Sequence, residues 1–189
     1  IANVLNNEKI KGAIERLLAK KHLIVGICNG FQALVKSGLL PYAKIGTVKP
    51  EDPTLYRNDI NRHLSHITKT VVASTNSPWL SSFQTGEVHQ VAISHGEGKF
   101  VVSQEIVEQL FKNGQVAFQY CNFEGEPTME DPHNPNGSMY AIEGIVSPCG
   151  LILGKMGHSE RKGTNLYKNI YGNKVQNIFD NAVNYFKGK

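Results

Sequence analysis

Cysteine is scarce in this chain of 189 residues, and long apolar runs are missing. Its three cysteines, Cys28, Cys121 and Cys149, are odd in number and widely spaced. They make neither a disulfide framework nor a zinc-ligand spacing, and such usage fits a reducing, cytoplasmic setting. No apolar stretch approaches the roughly 20 residues needed to cross a bilayer. No charged-then-apolar leader opens the chain, so nothing points to a membrane. The net charge is +4, but the lysines are scattered. Without a basic stripe interleaved with aromatics, nucleic acid is not an expected partner. The cationic ends Lys20-Lys21 and Lys187–Lys189 read instead as helix C-termini, where positive charge suits the helix dipole. Internal repeats, linker-like segments and a G-x-x-x-x-G-K-[ST] phosphate loop are all absent. What is present is a 40% hydrophobic, 19% charged composition, long enough for one domain, residues 1–189, with a sizeable core.

The apolar pattern then divides the chain. Ile10, Ala13, Ile14, Leu17 and Leu18 recur at helical spacing over residues 8–21. An apolar strand follows at 22–26, then a turn at Cys28 and a short helix from Asn29 to Lys36 stopped by Gly38. Residues 44–66 read as a polar surface excursion. Strands are expected near 68–73, 88–93, 115–120, 139–146 and 151–156. Ser103 is an N-cap for a helix over 104–112. Ser94-His95-Gly96-Glu97-Gly98 reads as a glycine-punctuated turn, 121–138 as a long loop, and 165–186 as a closing helix that Gly172 interrupts. Strands alternating with helices imply an α/β fold: a three-layer, mostly parallel open sheet of flavodoxin-like type, with a small antiparallel extension.

Two short motifs end such strands. Gly26-Ile27-Cys28-Asn29-Gly30 puts a thiol at a strand-to-helix turn, and His158-Ser159-Glu160 follows the apolar run 150–156. A free thiol is mostly protonated at neutral pH, and a helix N-terminus favours its anion. A nucleophile elbow needs an unusual backbone angle and small neighbours, which the two glycines supply. The N–H of Asn29 can then face the oxyanion of a tetrahedral intermediate. His158 is the candidate base and acid, and Glu160, two residues on in an extended segment, can fix its tautomer. Alone, each motif has an ordinary alternative: a small buried cysteine near a turn, or a solvated His–Glu surface pair. Together, at two strand ends of one α/β chain, they point to acyl transfer by a thiol. His95 lies at a strand end, where ligand sites of open α/β sheets gather. Cys121 and Cys149 read as structural.

Further segments carry a family resemblance. Gly26–Leu34, His95-Gly96-Glu97-Gly98-Lys99-Phe100, Gln119–Asn122, Asn134-Pro135-Asn136-Gly137-Ser138 with Ile142–Ile145, and Gly154–Arg161 match in order and spacing. On these residues the chain resembles the class I, triad-type glutamine amidotransferases, and more narrowly the glutaminase domains of phosphoribosylformylglycinamidine synthases. The resemblance implies that Cys28 attacks the side-chain amide of glutamine, with His158 and Glu160 completing the triad. Gln32 and the backbone of Ser94, His95 and Gly96 would hold the amino-acid portion. Ammonia would pass to a synthetase, either a domain of the same chain or a separate subunit, which makes formylglycinamidine ribonucleotide. The domain itself would need no cofactor or metal; ATP and magnesium would belong to the synthetase.

Two departures accompany the resemblance. Gly157 and Ser159 stand where many relatives carry proline, which implies a local backbone difference around intact triad side chains. The family domain also begins with a first strand and a glycine-rich loop carrying the second oxyanion donor, and nothing before residue 22 matches either. The sequence is therefore expected to lack them and to be weakly active alone. Alternatives remain: the same chemistry serving CTP, GMP or carbamoyl phosphate synthesis, or a non-catalytic partner-binding module of the same fold.

Overall fold

The computed structural model describes residues 2–5, 7–46 and 48–188, the side chains of Ala2 and Asn3 excepted. In chain order its elements are α1 (Ala2–Leu5), α2 (Glu8–Ala19), β1 (Ile24–Ile27), α3 (Asn29–Lys36), α4 (Leu39–Tyr42), β2 (Thr54–Arg57), β3 (Leu64–Val72) and β4 (Val88–His95). Then come β5 (Glu97–Val101), α5 (Gln104–Lys112), β6 (Val116–Tyr120), β7 (Ile142–Val146), β8 (Ile152–Lys155) and α6 (Ile178–Lys187).

Local chemistry sets several of these boundaries where the sequence places them. The helix α3 buries Phe31, Ala33, Leu34 and Val35, one apolar face at helical spacing. It ends at Ser37, and Gly38 follows with φ 81°, a left-handed conformation that glycine adopts without a Cβ penalty. The side chain of Ser103 caps α5 by accepting the N–H of Ile106. Asn7 does the same for α2 through the N–H of Lys9.

Six strands form one sheet in the order β1-β8-β7-β6-β3-β4, and β2 pairs with β5 in a second, two-stranded sheet. One core packs α3 and α5 on the first face of the large sheet, through Phe31, Leu34, Val107, Leu110, Ile145 and Ile152. A second core, with Trp79, Leu80, Phe118, Leu153 and Ile178, packs α6 on the other face. The three-layer α/β arrangement thus holds. Among the described residues no helix is long and apolar enough to cross a membrane.

The expectation of a mostly parallel sheet needs correction. Among the described pairings of the large sheet, β1 with β8 is parallel, and β3–β4, β3–β6, β6–β7 and β7–β8 are all antiparallel. Parallel neighbours need a long crossover, usually a helix. From β3 onward, turns and loops replace most crossovers; residues 147–151 alone join β7 to β8.

Four local expectations also change. The excursion at 44–66 contains β2 and the start of β3, while its Thr47 lies outside the described residues. Residues 94–98 are not an open turn: β4 runs through His95, and β5 starts at Glu97 against β2. The closing helix is α6 alone. Residues 165–177 instead strap along the sheet edge, with the carbonyl of Asn173 accepting the N–H of Gln90 at 2.6 Å. Gly172, at φ 109°, makes the bend. The expected strand at 139–146 opens with a 3-10 turn at Met139–Ala141 before β7. At the cationic ends, Lys20 caps α2 and Lys187 lies in the last turn of α6, while Lys189 lies outside the described residues.

Candidate active site

Parallel pairing brings the two motifs to one end of the sheet. Ile27 is opposite Lys155 in the β1–β8 register, and the N–H of Cys28 donates to the Lys155 carbonyl at 2.9 Å. Cys28 is thus the first residue past β1, and His158 stands three residues past the end of β8. The N–H of His158 is anchored on the Ala92 carbonyl of β4 at 2.8 Å.

Cys28 sits on an elbow with φ 53° and ψ −108°, an uncommon conformation for a residue with a Cβ and a familiar one for a nucleophile at a strand-to-helix turn. A Cβ at Gly26 would fall 2.5 Å from Leu34 Cδ1 and 2.6 Å from the Gly30 carbonyl, so glycine is required there. Gly30 has open space in its place, so the steric reason read from the sequence applies to Gly26 and not to Gly30.

The half-buried thiol of Cys28 donates to the Ser94 carbonyl at 3.6 Å. Burial pushes its pKa up, while the N–H of Asn29 and the charge of Arg161 pull it down and Glu160 opposes them. Desolvation therefore outweighs the helix N-terminus, and the resting group is a thiol. Its ionisation needs a base.

His158 supplies the geometry for one. Its Nδ1 lies 2.5 Å from Glu160 Oε1, and its buried Nε2 has no hydrogen-bond partner. A carboxylate oxygen accepts, so this contact favours the tautomer with the proton on Nδ1 and leaves Nε2 free.

The remaining residues singled out in the sequence divide. Gln32, one turn beyond Cys28 on α3, donates to the Glu97 carbonyl at 2.5 Å. Ser94 touches the thiol through its carbonyl and His63 Nε2 through its hydroxyl, at 3.1 Å. His95 is turned inward. Its Nδ1 lies 3.1 Å from Asn58 Oδ1, and its carbonyl accepts from Asn58 Nδ2 at 2.8 Å. The Gly96 carbonyl accepts the N–H of Asn58 at 3.1 Å. These two carbonyls are therefore already committed to Asn58. Burial, with His63, His158 and His66 nearby, lowers the pKa of His95 to about 4, which keeps the ring neutral.

A shallow pocket of about 270 Å³ adjoins this cluster, lined by Arg57, Asn61, Arg62, His63, Gly96 and Glu97. Larger cavities of about 400 and 550 Å³ lie elsewhere, around Tyr42 and Lys49 and around Tyr167 and Lys174, and none of Cys28, His158 and Glu160 lines them. Among the described residues no cluster of His, Cys, Asp and Glu has a metal-binding arrangement.

Sequence reading overlooked Asn58, Arg161 and a buried ion pair, Lys155–Glu143. The signal for the pair was a charge inside each of two apolar strand runs, Ile142–Val146 and Ile152–Lys155. It also missed the role of Ser159, whose buried hydroxyl donates to Gln176 Oε1 at 2.7 Å.

A cysteine elbow and a histidine–glutamate pair at one end of a three-layer α/β sheet define a class. The chain belongs to the CobB/CobQ-like glutamine amidotransferase domain family, whose model matches residues 1–186. Its relatives are narrower in name. It is 40% identical over 142 residues to a protein named phosphoribosylformylglycinamidine synthase subunit PurQ from Chlorobium chlorochromatii, a match covering 75% of this chain and 55% of that one. To the protein of the same name from Gloeobacter violaceus it is 34% identical over 174 residues, 90% of this chain and 67% of that one. Among solved structures, PurLQS from Thermotoga maritima superposes with a TM-score of 0.69 at 25% identity, over 98% of this chain and 71% of that chain. The chain thus spans 55% to 67% of the length of these two curated relatives.

Proposed function

We propose that this chain carries the glutaminase site of a phosphoribosylformylglycinamidine synthase. It hydrolyses glutamine to glutamate and ammonia for a synthetase that makes formylglycinamidine ribonucleotide. The observation that carries this reading is the approach of the Cys28 elbow and the His158–Glu160 pair at the ends of two parallel neighbours. The names of the relatives support the pathway.

In this reading His158 Nε2 takes the thiol proton as glutamine enters. Sγ swings from the Ser94 carbonyl and attacks the amide carbon. The N–H of Asn29 faces the oxyanion, and the imidazolium, held by Glu160, returns its proton to the departing ammonia. Water, deprotonated by His158, then cleaves the thioester to release glutamate and restore the thiol. Gln32 and the backbone around Ser94 hold the amino-acid end, and Arg57 and Arg62 offer positive charge to its carboxylate. The synthetase, as the same chain or another subunit, is the partner and the place of ATP and magnesium. A cytoplasmic setting suits the free thiol.

The test is labelling with diazo-oxo-norleucine, a glutamine-like electrophile, in a protein of the relatives' full length. Label and glutaminase activity should both vanish in Cys28→Ala. Label persisting on that variant would sink the reading.

A further inference from the structure

We propose that the buried Lys155–Glu143 ion pair is a positioning device that sets Cys28 and His158 relative to each other. The inference deepens the catalytic reading above and rests on it for the roles of those two residues.

Both side chains of the pair are fully buried, with Nζ 3.2 Å from Glu143 Oε1. Taking two charges out of water is costly, and such a pair is weak evidence for stability. What it holds is therefore informative. Lys155 Nζ donates to the Gly157 carbonyl at 2.8 Å, and the Gly157 N–H donates to Glu143 Oε1 at 2.5 Å. Each polar group of the Gly157 main chain is thus gripped by one member of the pair, closing a ring of three contacts. Gly157 immediately precedes His158.

The same lysine reaches the nucleophile. Its main-chain carbonyl receives the Cys28 N–H at 2.9 Å. One residue therefore holds the elbow peptide with its backbone and the histidine segment with its side chain. Glu143 adds a second grip on that segment, since its carbonyl accepts the N–H of Met156 at 3.1 Å.

Packing leaves this arrangement little freedom. A Cβ at Gly157 would meet Val91 Cγ2 at 2.7 Å and Glu143 Oε1 at 2.8 Å, so the close approach of the carboxylate requires glycine there. The Lys155 ammonium also lies 5.1 Å from the centre of the Phe118 ring, a favourable face for a cation. Burial lowers the Lys155 pKa, and Glu143 opposes that fall. Glu143 Oε2 has no hydrogen-bond partner among the described residues, so this carboxylate is not positioned for its own satisfaction. Errors of about an ångström between reacting groups cost on the order of 10²-fold in rate, which is what such a clamp prevents.

The experiment uses full-length protein and two neutral double variants, because a single substitution strands one buried charge. Lys155→Met/Glu143→Leu removes both grips on Gly157. Lys155→Met/Glu143→Gln keeps an acceptor for the Gly157 N–H, and it reports if the first variant does not fold. The primary readout is alkylation of Cys28 by iodoacetamide against pH, with exposed Cys149 as the internal reference. In the folded variants Cys28 should react roughly 10- to 100-fold more slowly at pH 7, because a misplaced His158 no longer takes the thiol proton, and its profile should shift to higher pH. Cys149 should be unchanged. Glutamine turnover should lose kcat by a similar factor with KM within about twofold. Variants that keep the parent Cys28 rate and pH profile, whatever their melting temperatures, would overturn the inference. A parent that alkylates normally but hydrolyses no glutamine would overturn the functional reading instead and leave the alkylation comparison decisive for the clamp.

Discussion

Gly26 and Gly154 stand opposite each other in the parallel β1–β8 pair, and α3 and its neighbours close the face on which their side chains would stand. A Cβ on Gly154 would lie 2.2 Å from the Phe31 ring, and one on Gly26 would lie 2.5 Å from Leu34. Phe31 and Leu34 belong to the helix that Cys28 starts. The paired glycines let that helix settle onto the two strands, and the height of the helix sets where the thiol stands relative to the end of β8.

Gly26→Ala should therefore destabilise the protein by about 3 kcal/mol or more, since backbone on the Gly30 side cannot yield as a side chain would. Gly30→Ala meets open space inside a helix and should be neutral or stabilising by up to about 1 kcal/mol. Urea titrations of the two variants check the contrast. Equal destabilisation by both would contradict it.

Glu160→Gln separates catalysis from stability. The partly exposed Glu160 carboxylate contributes little to folding, yet it fixes the tautomer of His158. Glutaminase kcat in full-length protein should fall about 10²–10⁴-fold with a melting temperature within a degree or two. A loss of less than about threefold would remove Glu160 from the triad.

His95 makes stability depend on acidity. Its pKa falls from 6.5 unfolded to about 4 folded, so the unfolded chain binds more protons between those values. The stabilisation is complete above pH 6.5 and declines as pH drops toward 4, by roughly 3 kcal/mol in total. His66 and His89 are shifted in the same direction by burial and add to this acid limb. Urea midpoints measured at pH 7, 5.5 and 4.5 should drop steeply in the parent and less steeply in His95→Gln. Identical slopes would show that His95 is not the neutral buried group described.

Ser159→Ala probes the residue between base and acid. Its hydroxyl donates to Gln176, and Gln176 donates in turn to Thr70 Oγ1 at 3.3 Å, all in the interior. The variant leaves the Gln176 oxygen without a partner, at a cost of about 1–3 kcal/mol. Thermal melting checks the size of the loss, and a wild-type midpoint would mean that the contact is not made.

The amino-acid sequence was enough to bring out several local elements and the candidate triad. Helix α3 and the cap of α5 follow from side chains within a turn of one another, and the thiol elbow follows from glycines beside a cysteine after an apolar strand. Such features depend on near neighbours, so they are legible without the fold. The mixed sheet was not, because the direction in which β3, β6, β7 and β8 pair depends on how loops return, and no residue encodes that singly. The inward turn of His95, the strap at 165–177 and the burial of Lys155 against Glu143 depend on strands distant in sequence. Only the tertiary structure decided that the Cys28 thiol is half-buried with its pKa raised. The helix terminus that favours its anion is local, whereas the desolvation that outweighs it comes from the packing of the whole sheet around it.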